Sequence, residues 1–269
     1  MVWRALQGER NMKRNIFSIK KLAAVLLCLF AFVGQGWAGW NSATSKYEIG
    51  SCADLKAFAT CVNGGNRVNG GSTPRCATAS VVLTQDIDCS GTTGLTPIGN
   101  GTNTTNQNYY FHGSFDGDGY SITGFTLNTN STYAGLFGYV NGATIKNVSV
   151  DVAITQTNTG TTDKIYAGGL VAYLNTGTIS NCLVSGTVKS TQSNAKLRTD
   201  AGGVAGYMGG GTISDCLSLV AVEGIDSDRS NLGGIVGFLQ GASSKSSTSK
   251  PKIERCVYDG TGVVVDGAD

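Results

Sequence analysis

A single histidine, His112, limits how much imidazole chemistry this 269-residue chain can perform. A zinc site of the HExxH kind needs two imidazoles one helical turn apart, so that chemistry is excluded. A Ser–His–Asp arrangement would have to use His112, which lies in the Gly-rich stretch Phe111-His112-Gly113-Ser114 rather than at a nucleophile elbow. Asp86 and Asp88 are two apart on a predicted strand and would share one face. Paired carboxylates suit glycoside hydrolysis, in which one acts as the acid and the other as base or nucleophile. The competing expectation is a strand end whose carboxylates accept backbone hydrogen bonds in a turn. Asp116-Gly117-Asp118-Gly119 has calcium-loop spacing but lacks the downstream bidentate Glu, and Asp-Gly pairs are ordinary turn formers. Tyr109 and Tyr110 would stack on sugar rings if exposed, or otherwise pack in the core or anchor a loop. No residue is assigned a catalytic, cofactor-binding or metal-ligating role.

The compartment follows from the N-terminus. Lys13, Arg14, Lys20 and Lys21 precede an apolar run from Leu22 to Val33, and Gly36-Trp37-Ala38 supplies small residues for cleavage near Ala38. This is the layout of a secretory signal. The run is too short for a spanning helix, which needs about 20 apolar residues. Cys28 has Leu27 before it rather than the small residues of a lipoprotein signal, so lipid anchoring is not expected. Residues 1–38 hold six of the 20 basic residues and one of the 18 acidic ones, leaving 14 − 17 = −3 on the mature chain. No basic patch with interleaved aromatics remains, which argues against nucleic acid as a partner. Seven cysteines remain: Cys52, Cys61, Cys76, Cys89, Cys182, Cys216 and Cys256. Export permits disulfides, and Cys52–Cys61 with Cys76–Cys89 are the expected local staples.

The elements that must carry these residues repeat. Gly135-Leu136-Phe137-Gly138-Tyr139 recurs as Gly169-Leu170-Val171-Ala172-Tyr173, Gly203-Val204-Ala205-Gly206-Tyr207 and Gly234-Ile235-Val236-Gly237-Phe238, at spacings of 34, 34 and 31 residues. A second element follows each time, centred on Ile145, Ile179, Ile213 and Ile253 and ending at Val148, Cys182, Cys216 and Cys256. Gly, Thr, Ser, Asn and Val dominate, which disfavours the helical repeats of similar length. Each unit is too small to bury its own apolar face, whereas stacked units share a continuous core. The expected fold is all-β: a right-handed parallel β-helix whose isoleucines form one inward ladder and whose Val148–Cys182–Cys216–Cys256 positions form another. The Cys ladder reads as small buried hydrophobes rather than a metal or redox site. The repeated Gly pairs mark tight corners or close backbone approach.

An amphipathic helix over Ser51–Val62, with Ser51 as N-cap and Leu55, Phe58, Ala59 and Val62 on one face, is placed to cover the open solenoid end. Gly262-Val263-Val264-Val265 reads as a further strand with no C-terminal cap, so a partner, loops or a further domain are expected there. The resulting organisation is a cleaved signal at 1–38, an N-terminal cap at 39–80, first β-helix coils at 81–132 and the repeats at 133–269.

On the Gly-Leu-aliphatic-Gly motifs above, together with Val82-Leu83-Thr84-Gln85-Asp86-Ile87-Asp88, Thr96-Pro97-Ile98-Gly99 and the stretch from Phe111 to Ile122, the chain resembles the GLUG-repeat family over roughly residues 47–260. That family occurs in bacterial surface and secreted proteins, including the non-catalytic region of some immunoglobulin-A-specific metalloproteases. The departures are Ala172, Ala205 and the polar insertion Ser243–Lys250. The resemblance implies a β-helix and leaves activity open, because fold does not fix function. The expected function is an extracellular or cell-surface, non-catalytic, adhesin-like or scaffold protein that presents its long connections, Thr155–Asp163 and Thr191–Thr199, to a glycan or protein ligand, with no cofactor. The alternatives are a carbohydrate-active β-helix enzyme and a non-catalytic segment of a larger secreted protein.

Overall fold

The computed structural model describes residues 39–68, 74–101, 106–159, 164–193, 197–225, 230–241, 250–260 and 263–266, with backbone alone at 225 and 263–266. Residues 1–38, read above as a leader, and most of the polar insertion at 243–250 lie outside the described residues. The chain is a parallel β-solenoid, as expected, with one α-helix among the described residues. Three sheets run along it. The largest contains Lys46–Ile49, Ser80–Leu83, Ser114–Asp116, Phe137–Lys146, Val171–Ser180, then Ala205–Met208 with Thr212–Ser214, and Val236–Leu239 with Lys252–Glu254. The second contains Ile87–Asp88, Ser121–Thr129, Ser149–Asn158, Leu183–Gln192, Leu217–Ile225, Val257–Tyr258 and Val263–Asp266. The strand Trp40–Asn41 pairs antiparallel with Lys46–Ile49, and among the described residues every other strand pairing is parallel.

Register is set residue on residue. Ile179 pairs with Ile145 and with Ile213, and Ile213 pairs with Ile253. The first three are fully buried, while Ile253 in the last coil is 40% exposed. Because the side-chain period of a strand is two, a one-residue slip would turn this whole column to solvent. Cys182 and Cys216 are buried beneath the second sheet, and Cys256 is half-buried at its end. The repeated stretch from Ile179 to Val184 is divided between two strands. Asn181, at φ 53°, breaks it into the end of Val171–Ser180 and the start of Leu183–Gln192. The same left-handed corner recurs at Asn147, Asp215 and Arg255.

The third, four-stranded sheet (Tyr133–Ala134, Ile165–Gly168, Thr199–Gly202 and Ser230–Gly233) was not expected. Its last three strands end on the first glycine of a Gly pair, and its first ends at Ala134, just before Gly135. A Cβ on Gly168 or Gly202 would lie 2.0 or 2.1 Å from the carbonyl oxygen of Val171 or Ala205, so the corner closes only on glycine.

The helix α1, Cys52–Asn63, follows the sequence. Ser51 Oγ accepts the Asp54 N–H at 3.2 Å, and Asp54 Oδ2 accepts from Ser51 Oγ and the Gly50 N–H, so the cap is reciprocal. Its buried face is Cys52, Leu55, Phe58, Ala59 and Val62. The disulfides differ from expectation: they are Cys52–Cys89 and Cys61–Cys76, with Cα separations of 5.2 and 5.9 Å. Cys52 and Cys61 both lie on α1, nine residues apart, and a rise of about 1.5 Å per residue puts them far beyond disulfide reach. One bridge ties the start of α1 to the second sheet, and the other ties its end to the short 3₁₀ turn Cys76–Thr78. Among the described residues no helix is long and apolar enough to cross a membrane.

Candidate functional site: a tyrosine face across the coils

The carboxylates singled out by spacing serve turns. Asp86 precedes the two-residue strand Ile87–Asp88 rather than lying in it. Its Oδ1 accepts both the N–H and the hydroxyl of Ser121 at 2.8 Å. Asp88 Oδ1 accepts the Ser90 N–H at 2.8 Å, and bonds from Ser90 hold its carboxyl below the ordinary value. Asp116 takes bonds from the Asp118 N–H and the Asn147 amide and pairs with Lys146 at 3.1 Å. Partial burial pushes the Asp116 carboxyl up, but the Asn147, Asp118 and Lys146 interactions outweigh it and the net shift is downward. His112 sits edge-on to Tyr110 at 5.5 Å, its Nε2 buried without a hydrogen-bond partner, and burial lowers its pKa.

The stacked thiols bond to backbone carbonyls. Cys182 Sγ donates to the Ser180 carbonyl at 3.2 Å and Cys216 Sγ to the Ser214 carbonyl at 3.1 Å. The hydrogen bond to Cys182, together with burial, raises the Cys216 pKa. Cys256 is raised by its bond to Cys216 and then by burial. Protonated thiols are poor nucleophiles and poor ligands.

The expected contact loops begin later than the sequence suggested. Residues 155–158 and 191–192 are strand, and Gln156 and Gln192 are fully buried. Gln156 Nε2 donates to the carbonyls of Ser131, Thr132 and Tyr166, and its Oε1 accepts from Ser190 at 2.7 Å, so these residues tie coil corners together. Residues 160–163 and 194–196 lie outside the described residues.

What the fold does bring together is a set of rings that the spacing argument passed over. The last residue of each repeated motif forms a column. Tyr139 and Tyr173 stack at 5.0 Å and 10°, Tyr173 and Tyr207 at 4.3 Å and 15°, and Tyr207 and Phe238 at 5.6 Å and 16°. Tyr110 extends the column beyond Tyr139 at 5.3 Å. Beside it, in the four-stranded sheet, Tyr133 and Tyr166 stack at 5.5 Å and meet the first column edge-on, as Tyr166 meets Tyr173 at 4.9 Å and 88°. Tyr133, Tyr139, Tyr166, Tyr173 and Phe238 are only half-buried, whereas Tyr110 and Tyr207 are buried. Edge-to-face and offset pairs add about 0.5–1.5 kcal/mol each beyond the area they bury, so the face is rigid. Tyr109 lies apart from the column, its ring over Gly65.

Polar groups line the rings. The Asn175 amide donates to Asn141 Oδ1 at 3.0 Å, and Asn141 donates to the Tyr110 hydroxyl at 3.4 Å. The Tyr207 hydroxyl donates to Gln240 Oε1. At the Phe238 end Arg198 lies 4.1 Å over the Phe238 ring and 2.9 Å from Asp200 Oδ2, close enough for an ion pair but not aligned as a hydrogen bond. Asp200 is fully buried and accepts from Asn231 at 2.7 Å. Burial pushes its carboxyl above the ordinary range, while Asn231, Arg198 and Lys164 oppose that shift. Burial also raises the phenols of Tyr139, Tyr166 and Tyr173, keeping them protonated as donors. Sequence could have revealed the face: Tyr133-Ala134-Gly135, Tyr166-Ala167-Gly168 and the four motif-ending aromatics share the repeat spacing.

Fold and face together define a β-solenoid repeat protein with an aromatic, hydroxyl-bearing strip. No family model matches the chain. It is 33% identical over 129 residues to halomucin of Haloquadratum walsbyi, an alignment that covers 42% of this chain and 1% of halomucin. Among solved structures it is similar to a candidate immunoglobulin A1 protease from Bacteroides ovatus, with a TM-score of 0.47 and 18% identity over 85% of this chain and 78% of that one.

Proposed function

We propose that this chain is an extracellular, non-catalytic, adhesin-like or scaffold protein that holds a glycan or protein ligand against its tyrosine face. The carrying observation is the column Tyr139–Tyr173–Tyr207–Phe238, flanked by Tyr133 and Tyr166, in which half-buried rings and amides repeat once per coil. Rigid aromatics with polar tips supply contact area at low entropic cost, which suits a binding surface. The leader-like N-terminus and two disulfides support export to an oxidising compartment. The aspartates spaced for hydrolysis are instead engaged with Ser121 and Ser90.

The test is retention of the mature protein on immobilised polysaccharides and on a glycan array, beside an assay for released reducing ends or unsaturated products. The expected result is binding without turnover, weakened about tenfold by Tyr166→Ala. Turnover abolished by Asp86→Ala or Asp88→Ala would overturn the proposal in favour of an enzyme.

A further inference from the structure

Resting on the reading of the tyrosine face as a glycan-binding surface, we infer that its ligand is an uncharged, extended polysaccharide lying parallel to the solenoid axis, one sugar to a coil. Three features carry this.

The first is periodicity. Ring centroids follow one another at 5.3, 5.0, 4.3 and 5.6 Å from Tyr110 to Phe238, and Asn141 and Asn175 repeat beside them. A β-1,4-linked chain in its extended form advances per sugar by nearly the spacing between neighbouring strands, about 4.8 Å. Each successive sugar therefore meets the same kind of group as the one before it.

The second is ring orientation. Along the column the rings stack on one another, so the inner faces are occupied by neighbouring tyrosines. A ligand meets ring edges, phenol hydroxyls and amides. The Tyr207 hydroxyl donates to Gln240, and the phenol oxygens keep lone pairs able to accept from a ligand. Such a row matches a series of sugar hydroxyls, each both donor and acceptor, better than it matches the apolar side chains of a peptide.

The third is charge. The coils carrying Tyr110, Tyr133 and Tyr139 contribute phenols and the amide of Asn141, and the next adds Tyr173 and the amide of Asn175. The charged groups near the face lie along its stretch from Tyr166 to Phe238. There Arg198 packs over Tyr207 and Phe238 and pairs with the buried Asp200, on which Lys164 also acts. A polyuronate or sulfated chain would leave its charges beside Tyr110 and Tyr139 opposite neutral groups while losing hydration, which is unfavourable. Arg198 is already paired with Asp200.

The experiment is calorimetry of the mature protein with neutral β-1,4 oligosaccharides (gluco-, manno- and xylo- series, two to eight sugars) and with oligogalacturonates of equal length. Affinity for at least one neutral series is expected to rise with each sugar until the five rings from Tyr110 to Phe238 are spanned, then level off. Oligogalacturonates are expected to bind about tenfold more weakly or worse. Asn175→Ala should weaken the longer neutral oligosaccharides, with an unchanged melting temperature showing that the fold is intact. Affinity independent of length, or oligogalacturonates bound as well as the neutral chains, would overturn this inference and leave a glycan-binding face of another specificity. No binding to these oligosaccharides or to any glycan on an array would overturn the reading on which it rests.

Discussion

At the residue scale, the corners of the coils depend on side chains that tolerate a left-handed backbone. Asn147 and Asn181, at φ 56° and 53°, also build a surface ladder. Asn147 donates to Asp116 Oδ1 at 2.9 Å and Asn181 donates to Asn147 Oδ1 at 2.8 Å. Two coils on, Arg255 grips Asp215 through paired bonds of 2.6 and 2.8 Å, and those bonds hold the Asp215 carboxyl below its usual range. An ordinary L-residue in this conformation costs about 1–2 kcal/mol, which Asn offsets by local hydrogen bonding. Asn181→Ala is therefore expected to lower stability by about 1–2 kcal/mol. Asn181→Gly loses the same amide bond but relieves the backbone, so it should cost less. Urea midpoints distinguish the two, and equal losses would contradict a left-handed corner at this position.

At the element scale, α1 was readable in full from Ser51, Leu55, Phe58, Ala59 and Val62, because capping and 3.6-residue periodicity are local signals. The disulfides were not, although α1 itself rules out Cys52–Cys61: two cysteines nine residues apart on one helix cannot meet. Pairing depends on where α1 lies against the second sheet, which no local pattern encodes. Peptide mapping of the protein folded under oxidising conditions should recover Cys52–Cys89 and Cys61–Cys76. Replacing Cys61 and Cys76 by Ser opens a link across 15 residues and should cost about 3 kcal/mol in the chain-entropy picture. A melting temperature unchanged by the double substitution would show that this end of the solenoid is held by packing alone. The four-stranded sheet was missed for a different reason. Tyr133-Ala134 and Ile165–Gly168 are too short to show alternation, and only their shared spacing with the Gly pairs marks them.

At the scale of the whole molecule, one rule places both the core and the candidate site: equivalent residues of successive coils stand in register. It puts Ile145, Ile179 and Ile213 inside and gathers Tyr139, Tyr173, Tyr207 and Phe238 into a single strip. The core column was legible because isoleucines at a fixed spacing have one plausible destination. The aromatic strip was legible only as a motif ending. Whether a repeated tyrosine packs inward or reaches solvent depends on a neighbouring strand that had not been anticipated. Register is tested most directly by a crystal structure of residues 39–269. The account predicts Ile145, Ile179 and Ile213 in one buried column, with Cα atoms about 4.8 Å apart from coil to coil, and Tyr139, Tyr173 and Tyr207 stacked as a second column. An offset of one residue between any two coils, which would carry Ile179 to the surface and part Tyr173 from its neighbours, would contradict it.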